Sequence, residues 1–397
     1  MRKFIRDAFL NILAFGLPLI TIQIIILPLI AKKISVGDHG LLLSVIAFIN
    51  LSAVTLGNSL NNARLIDKTK NRLSGNNYKR ILIYFLFINL IMLSMSFIFF
   101  GSRIDYITYI FIVIYGSLML YISYSTVKFR INLNYKNIIA SNVFLVIGYI
   151  IGYFMFRSFE RWELVYFTGS IFMFLYVFKN SKINEENNIV DQDFKTTSKH
   201  VLTILLSAVI ISSITYADKL IVLPLLGEEA VAIIYVASFF AKLVTSFIPP
   251  INGVLLSYLS ASSNLSLNKI YKYIWYLLIL LIMAYLPIYL SSIIFTKYLY
   301  SSTYQLSLSY IPFSVAASLL LIYGLLLNTI ILKFFKSKHY LIFNLMYLIT
   351  YIGLSSVLSL KLGIYGYILG TLISSAIKVI SLIVFITIKK GDINYGK

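Results

Sequence analysis

The chain predicts an all-α, polytopic membrane protein of about twelve transmembrane helices in two parallel six-helix lobes, and three observations carry that expectation. The first is composition: of 397 residues 59% are hydrophobic and 12% charged, with mean hydropathy +0.88, whereas a soluble domain carries roughly 25% charged residues. The second is the recurrence of apolar segments of about 20 residues, the length that crosses a hydrocarbon core of roughly 30 Å as a helix with its backbone groups satisfied internally. Barrel strands would alternate in polarity instead. The third is the longest polar connection, "KNSKINEENNIVDQDFKTTSKH" from Lys179 to His200, which falls near the middle and predicts an N-terminal lobe at 1–195 and a C-terminal lobe at 196–397.

In order, the spans are expected near residues 8–30, 40–62, 81–101, 106–127, 138–157, 163–179, 201–226, 230–257, 273–295, 306–332, 340–360 and 363–388. The first is too long for a signal peptide and lacks a small-residue cleavage site, so it is expected to be retained. With no cysteine, disulfide and thiol chemistry are excluded. No GxxxxGK[ST] phosphate loop is present, so ATP consumption is not expected, nor any cofactor.

Most of the 34 Lys and Arg residues cluster on one set of loops. These are the N-terminus (Arg2, Lys3, Arg6), the loop "RLIDKTKNRLSGNNYKR", the segment Lys128 to Lys136, the central connection, Lys269 and Lys272, the Lys333–Lys338 region and the C-terminal tail. The opposite loops hold few: Lys32, Lys33, Arg103, Arg157, Arg161, Lys297 and Lys361. By the positive-inside rule both termini are cytoplasmic, and the Glu228–Glu229 turn is outside. The net charge of +20 is therefore mainly a topology signal and does not point to nucleic acid.

An internal similarity supports two related halves. "LPLIAKKISVGDHGLLLSVIAFINL" from Leu27 matches "LPLLGEEAVAIIYVASFFAKL" from Leu223 with a four-residue gap. Six spans per repeat give parallel copies, a recurrent design of secondary transporters.

Three lysines and one aspartate fall inside spans, where a charge costs at least about 2.5 to 3.5 kcal/mol on insertion scales. Lys219 shares a helical stripe with Ser212, Thr215 and Tyr216; Lys242 with Tyr235, Ser238, Thr245 and Pro249; Lys378 with Thr371, Ser374, Ser375 and Ser381. The second span offers Asn50, Gly57, Asn58 and Asn61. At about 1.5 Å per residue, Lys242 and Lys378 lie roughly 18 and 22 Å from the outer ends of their helices. These polar faces predict a basic central cavity for an anionic ligand, bound by Lys219, Lys242, Lys378, Asn50 and Asn58, with Asp218 as the ion-coupling residue. In the alternative, Asp218 forms a structural ion pair with Lys219 or Lys242 and the hydroxyls only bond helices together. One acid cannot neutralise three bases, which favours the cavity.

The run "YADKLIVLPLLGEEAVAIIYVASFFAKL" resembles the start of the second lobe in polysaccharide repeat-unit flippases of the multidrug/oligosaccharidyl-lipid/polysaccharide superfamily, with its Ala-Asp-basic triplet, short Gly turn and Ile-Tyr pair. "VGDHGLLLSVIAFINL" is similar to the corresponding first-lobe stretch, with His39 where Tyr or Phe usually precedes Gly40, and "GIYGYILGTLIS" is similar to the last span. The resemblance implies a V-shaped two-lobe bundle of the MATE type in a bacterial cytoplasmic membrane. It implies a cargo of undecaprenyl-pyrophosphate-linked glycan, of the O-antigen, capsule or exopolysaccharide kind, flipped to the outer leaflet, with Lys219, Lys242 and Lys378 meeting its pyrophosphate or acidic sugars. Membrane lipids, an H+ or Na+ gradient, a glycan polymerase and chain-length proteins are the partners it implies. The first span lacks the arginines of the related lipid II flippases and has Gln23 as its strongly polar deep residue, which disfavours a peptidoglycan precursor.

A multidrug or cation antiporter of the same superfamily is the alternative, although it would want acidic cavity residues. A membrane enzyme such as a polymerase would want a large external loop. "RLIDKTKNR" resembles the loop between spans 2 and 3 of major-facilitator carriers, but Thr69 stands where that motif has Gly. "GYIIG" at Gly148 and "GYILG" at Gly366 predict close helix packing. The prolines, Pro18, Pro28, Pro224, Pro249, Pro250, Pro287 and Pro312, avoid spans 3 to 6 and mark where bending is expected. His39, His200 and His339 lack metal-ligand spacing and are expected to be solvated loop residues, so no metal site and no catalytic residue is expected.

Overall fold

The computed structural model describes residues 14, 16–69, 75–183, 193–248, 267–335 and 337–388. Both charged termini, which carry part of the topology expectation, lie outside the described residues, as do Pro249, Pro250 and residues 184–192 of the central connection. Every regular element among the described residues is helical, and a helix stands at each expected span. They are α1 (Gly16–Ala31), α2 (Val36–Asp67), α3 (Gly75–Arg103), α4 (Tyr106–Ile131), α5 (Tyr135–Phe159), α6 (Glu163–Ser181), α7 (Phe194–Leu226), α8 (Glu228–Ser246), α9 (Leu267–Leu299), α10 (Ile311–Phe334), α11 (337–362) and α12 (364–388). Gly363, at φ 60° and ψ −139°, separates the last two, a conformation that favours glycine. Large apolar side chains such as Ile98, Phe87, Trp275 and Met283 stand exposed on α3 and α9. Such faces suit lipid rather than water, and the chain is a multi-pass membrane protein.

The chain packs as two compact units, Met1–Lys33 with Ser44–Tyr216 and Ile34–Leu43 with Ala217–Lys397. Helix α7 is continuous through the central cut of that division, between Tyr216 and Ala217.

In the first unit, small residues bring helices together. A Cβ on Gly148 or Gly152 of α5 would lie 2.6 Å from backbone atoms of α6, and Thr168 on α6 donates to the Gly148 carbonyl at 2.8 Å. Gly57 of α2 sits similarly against the Leu120 carbonyl of α4. The second unit is built around α10. Its Tyr323, Leu327 and Ile330 pack with α9, α11 and α12, while Val315, Leu319 and Ile322 pack with Ala237 and Ala241 of α8. Gly366 and Gly370 of α12 lie against Leu358 and Ser355 of α11, so both "GYxxG" stretches are close-packing sites as read. Pro312 occupies the first turn of α10, where its missing N–H is harmless, and Pro287 lies inside α9.

The two similar stretches fold alike. A short helix, Leu27–Ala31 or Val222–Leu226, leads through a turn into a long one at Val36 or Glu228. The second turn uses Gly227 at φ 87°. Within the second unit the two copies meet, for an ideal Cβ on Gly40 would lie 1.8 Å from the Glu228 carbonyl oxygen. Only a residue without a side chain lets α2 approach α8 there.

Candidate functional site

The local chain path explains how the charges of the second unit come together. Helices α7 and α8 reverse direction through Gly227, which puts Asp218 on the outgoing helix beside Lys242 on the returning one. The Lys219 ammonium donates to both Asp218 carboxylate oxygens, at 3.1 and 3.0 Å, and Lys242 donates to Oδ2. Asp218 is buried, Lys219 nearly so, and the Lys242 side chain is the most open of the three at 41% exposure. The structural pairing left open by the sequence is thus present, with both lysines rather than one. It still leaves one positive charge in excess.

Aromatic rings surround this cluster. The Lys219 ammonium lies 5.7 Å from the centroid of Tyr235. Tyr235 meets His39 edge-on at 5.8 Å, and His39 stacks on Tyr300 at 5.7 Å. On α11 and α12, Tyr351 and Tyr367 share a hydroxyl–hydroxyl hydrogen bond and lie within electrostatic reach of Asp218. Tyr351 stacks on Tyr347 at 5.7 Å with rings 5° from parallel, and Tyr347 presents its face to the Lys378 ammonium at 4.6 Å. A tyrosine ladder therefore runs from the Asp218 cluster toward Lys378.

Lys378 is 2% exposed. Its stem passes Gly324, and its ammonium donates to Asn344 Oδ1 at 3.3 Å, an oxygen that also accepts from Asn328. No carboxylate pairs with it among the described residues. A buried ammonium with one carbonyl acceptor and one π face is far from neutralised. The second unit thus carries two surplus positive charges inside an apolar bundle, an environment suited to a phosphate-type anion.

Asn50 and Asn58 belong to the first unit. Asn50 is half-buried, its carbonyl accepting from Thr55 at 3.0 Å, and Asn58 is exposed. Asn61 of the same expected stripe turns inward instead, donating to the Ser123 carbonyl at 2.8 Å and accepting from Arg130. The polar face of α2 is split between helix packing and the open side.

The histidines correct the expectation of solvated loops. His39 is buried in the first turn of α2, with neither ring nitrogen hydrogen-bonded. His200 pairs with buried Asp67 at 3.0 Å, and Asp67 also accepts from Tyr78 at 2.6 Å. His339 packs on Phe385 at 4.9 Å. Residues near span ends looked like loop residues, but helices include them; His39 is buried there, while His200 and His339 are partly covered.

No protein-family model matches the chain, and no curated protein matches its sequence. Solved structures do match it. An inward-facing multidrug resistance MATE family transporter of the MOP superfamily aligns over 97% of this chain and 96% of its own, with TM-score 0.63 and 14% identity. The lipid II flippase MurJ in an inward closed conformation aligns over 96% and 87%, with TM-score 0.68 and 17% identity. An outward-facing MATE transporter aligns over 97% and 94%, with TM-score 0.64 and 12% identity. At such identities the likeness concerns architecture: the chain has the all-helical membrane fold shared by MATE transporters and MurJ.

Proposed function

We propose that the chain is a flippase that carries an undecaprenyl-pyrophosphate-linked oligosaccharide repeat unit, of the O-antigen, capsule or exopolysaccharide kind, from the cytoplasmic to the outer leaflet of a bacterial cytoplasmic membrane by alternating access. Its working parts in this reading are two lobes, 1–195 and 196–397. The observation that carries it is the surplus of positive charge at Lys219, the half-open Lys242 and the buried Lys378, opposed by Asp218 alone among their ion-pair partners. A pyrophosphate leaving water loses hydration and needs fixed positive charge. At an effective dielectric near 20, one unit-charge contact at 4 Å is worth about 4 kcal/mol before desolvation is subtracted. The half-open Lys242 is placed to meet such a group first. Lys378, at the far end of the tyrosine ladder, would hold it deeper, and aromatic faces along the way suit sugar rings.

The alternative, a multidrug or cation antiporter, draws on the printed names of the MATE neighbours. An organic cation would meet surplus lysines in the second unit, which disfavours it. In cells that make the glycan, Lys242→Gln and Lys378→Gln are expected to accumulate unflipped lipid-linked glycan at unchanged protein level, and Lys242→Arg to export normally. Normal export in all three variants, with cationic-dye efflux by the parent that is lost in Asp218→Asn at a folded-protein level equal to the parent's, would establish the antiporter instead.

A further inference from the structure

The three charges of the Asp218 cluster do not play equal parts. Lys219 follows Asp218 in the chain, its side chain is 14% exposed, and its ammonium donates to both carboxylate oxygens. The Tyr235 ring covers it further, with its centroid 5.7 Å from the ammonium. Lys242 comes from the other helix of the hairpin, is far more open, and donates to Oδ2 alone. One lysine is chelated and enclosed; the other is held by a single oxygen at the open side.

Asp218, itself buried, thus sits on Lys242 where an external anion would have to bind. A phosphate group arriving at Lys242 with the carboxylate still in place would bring like charges together in apolar surroundings, which is repulsive. Lys242 must change partners. Its flexible four-carbon stem allows this, and the move strands nothing, because Lys219 still pairs with both Asp218 oxygens. Lys219 has no such freedom: its departure would take the chelating partner from a buried carboxylate.

We propose that Asp218 is an internal stand-in for the anion of the cargo, occupying Lys242 in the empty protein until a phosphate group displaces it, while Lys219 stays behind to neutralise it. Lys242 then touches the ligand, and Lys219 is a positioning residue. A weakly binding, singly charged anion such as chloride does not displace a carboxylate already in place, whereas a pyrophosphate does, so the pairing sets selectivity by competition. The identity of the ligand as a lipid-linked pyrophosphate rests on the flippase reading; the exchange of partners requires only a phosphate-type anion.

The full chain in detergent micelles is titrated with undecaprenyl pyrophosphate, with undecaprenol and with inorganic pyrophosphate, and binding is read by thermophoresis. The double variant Asp218→Asn/Lys219→Gln keeps the net charge of the cluster and frees Lys242 of its carboxylate. It is expected to bind undecaprenyl pyrophosphate about tenfold more tightly than the parent, the scale of one charge-assisted hydrogen bond that no longer has to be broken. Lys219→Gln alone, which leaves Asp218 with Lys242 only, should bind about tenfold more weakly, and Lys242→Gln added to the double variant should remove its gain. A gain confined to undecaprenyl pyrophosphate supports the exchange with a lipid-linked ligand. A gain of equal size for inorganic pyrophosphate supports it with a free one and counts against the flippase. A double variant that binds no more tightly than the parent overturns the exchange, and glycan export lost in Lys242→Gln would then leave the flippase reading standing. Should the double variant fail to fold, lysine acylation of the unmodified chain, read by peptide mass spectrometry, replaces it. Protection of Lys242 but not Lys219 by either pyrophosphate supports the exchange, and protection of both lysines or of neither overturns it.

Discussion

The Asp218 and Arg161 clusters are built from the same parts with the signs exchanged. In one, the Asp218 carboxylate lies between two ammonium groups; in the other, the Arg161 guanidinium lies between the Asp105 and Glu163 carboxylates. Each leaves one charge in excess, positive in the second unit and negative in the first. They differ in burial: Asp218 is sealed within its lysines, whereas Arg161 and Asp105 are partly open and Glu163 alone is sealed. The difference teaches which member is structural. The central charge of the second-unit cluster is the one the bundle cannot lose, while in the first unit that member is the buried flank, Glu163.

The largest expected effect breaks that comparison if it fails. Asp218→Asn leaves Lys219 and Lys242 facing each other without a counter-ion, and removing one partner of a buried pair costs about 3 to 5 kcal/mol. The double variant with Lys242→Gln should recover most of it, because the close pair couples non-additively. Arg161→Gln, in the more open cluster, should cost about 1 kcal/mol. Reversible unfolding in mixed micelles measures all three, and equal losses for Asp218→Asn and Arg161→Gln would show that burial does not decide the matter.

The next effect is steric. Gly40→Ala puts a Cβ into the Glu228 carbonyl, so the contact between the two similar stretches must open. Overpacking of this kind costs about 1 to 3 kcal/mol. A melting temperature unchanged from the parent would mean the two helices slide apart freely.

Much of this molecule could be read from its sequence because bilayer physics writes long signals. Apolar length placed the helices, the glycine pairs marked close packing, and the cost of intramembrane charge singled out Asp218, Lys219, Lys242 and Lys378. Residues whose roles depend on long-range contact were not legible. His39 needed Tyr235 and Tyr300, which lie far along the chain, before its burial could be seen. Glu163 needed Thr108, and Arg161 had counted only as a topology charge. Asp67 and His200 stood in basic connections where a charge is ordinarily solvated, yet they pair and tie α7 to α2. That pair is a smaller test. Asp67→Asn leaves Tyr78 and His200 with weaker acceptors and should cost about 1 to 2 kcal/mol, with His200→Gln adding little on top. Fully additive losses would show the two residues act separately.

The smallest effect concerns pH and the open side of the first-unit cluster. Burial pushes the Asp105 carboxyl up, but hydrogen bonds from Thr108 and the Arg161 guanidinium outweigh it and hold the group below the usual carboxylate range. A carboxyl whose folded value is depressed stabilises the fold at pH above its unfolded value, and that contribution is lost as pH falls through the folded value. Asp105 is 45% exposed, so solvent screening limits the contribution to less than about 0.5 kcal/mol. Acid should therefore destabilise the parent slightly more than Asp105→Asn, and added salt should erase the difference.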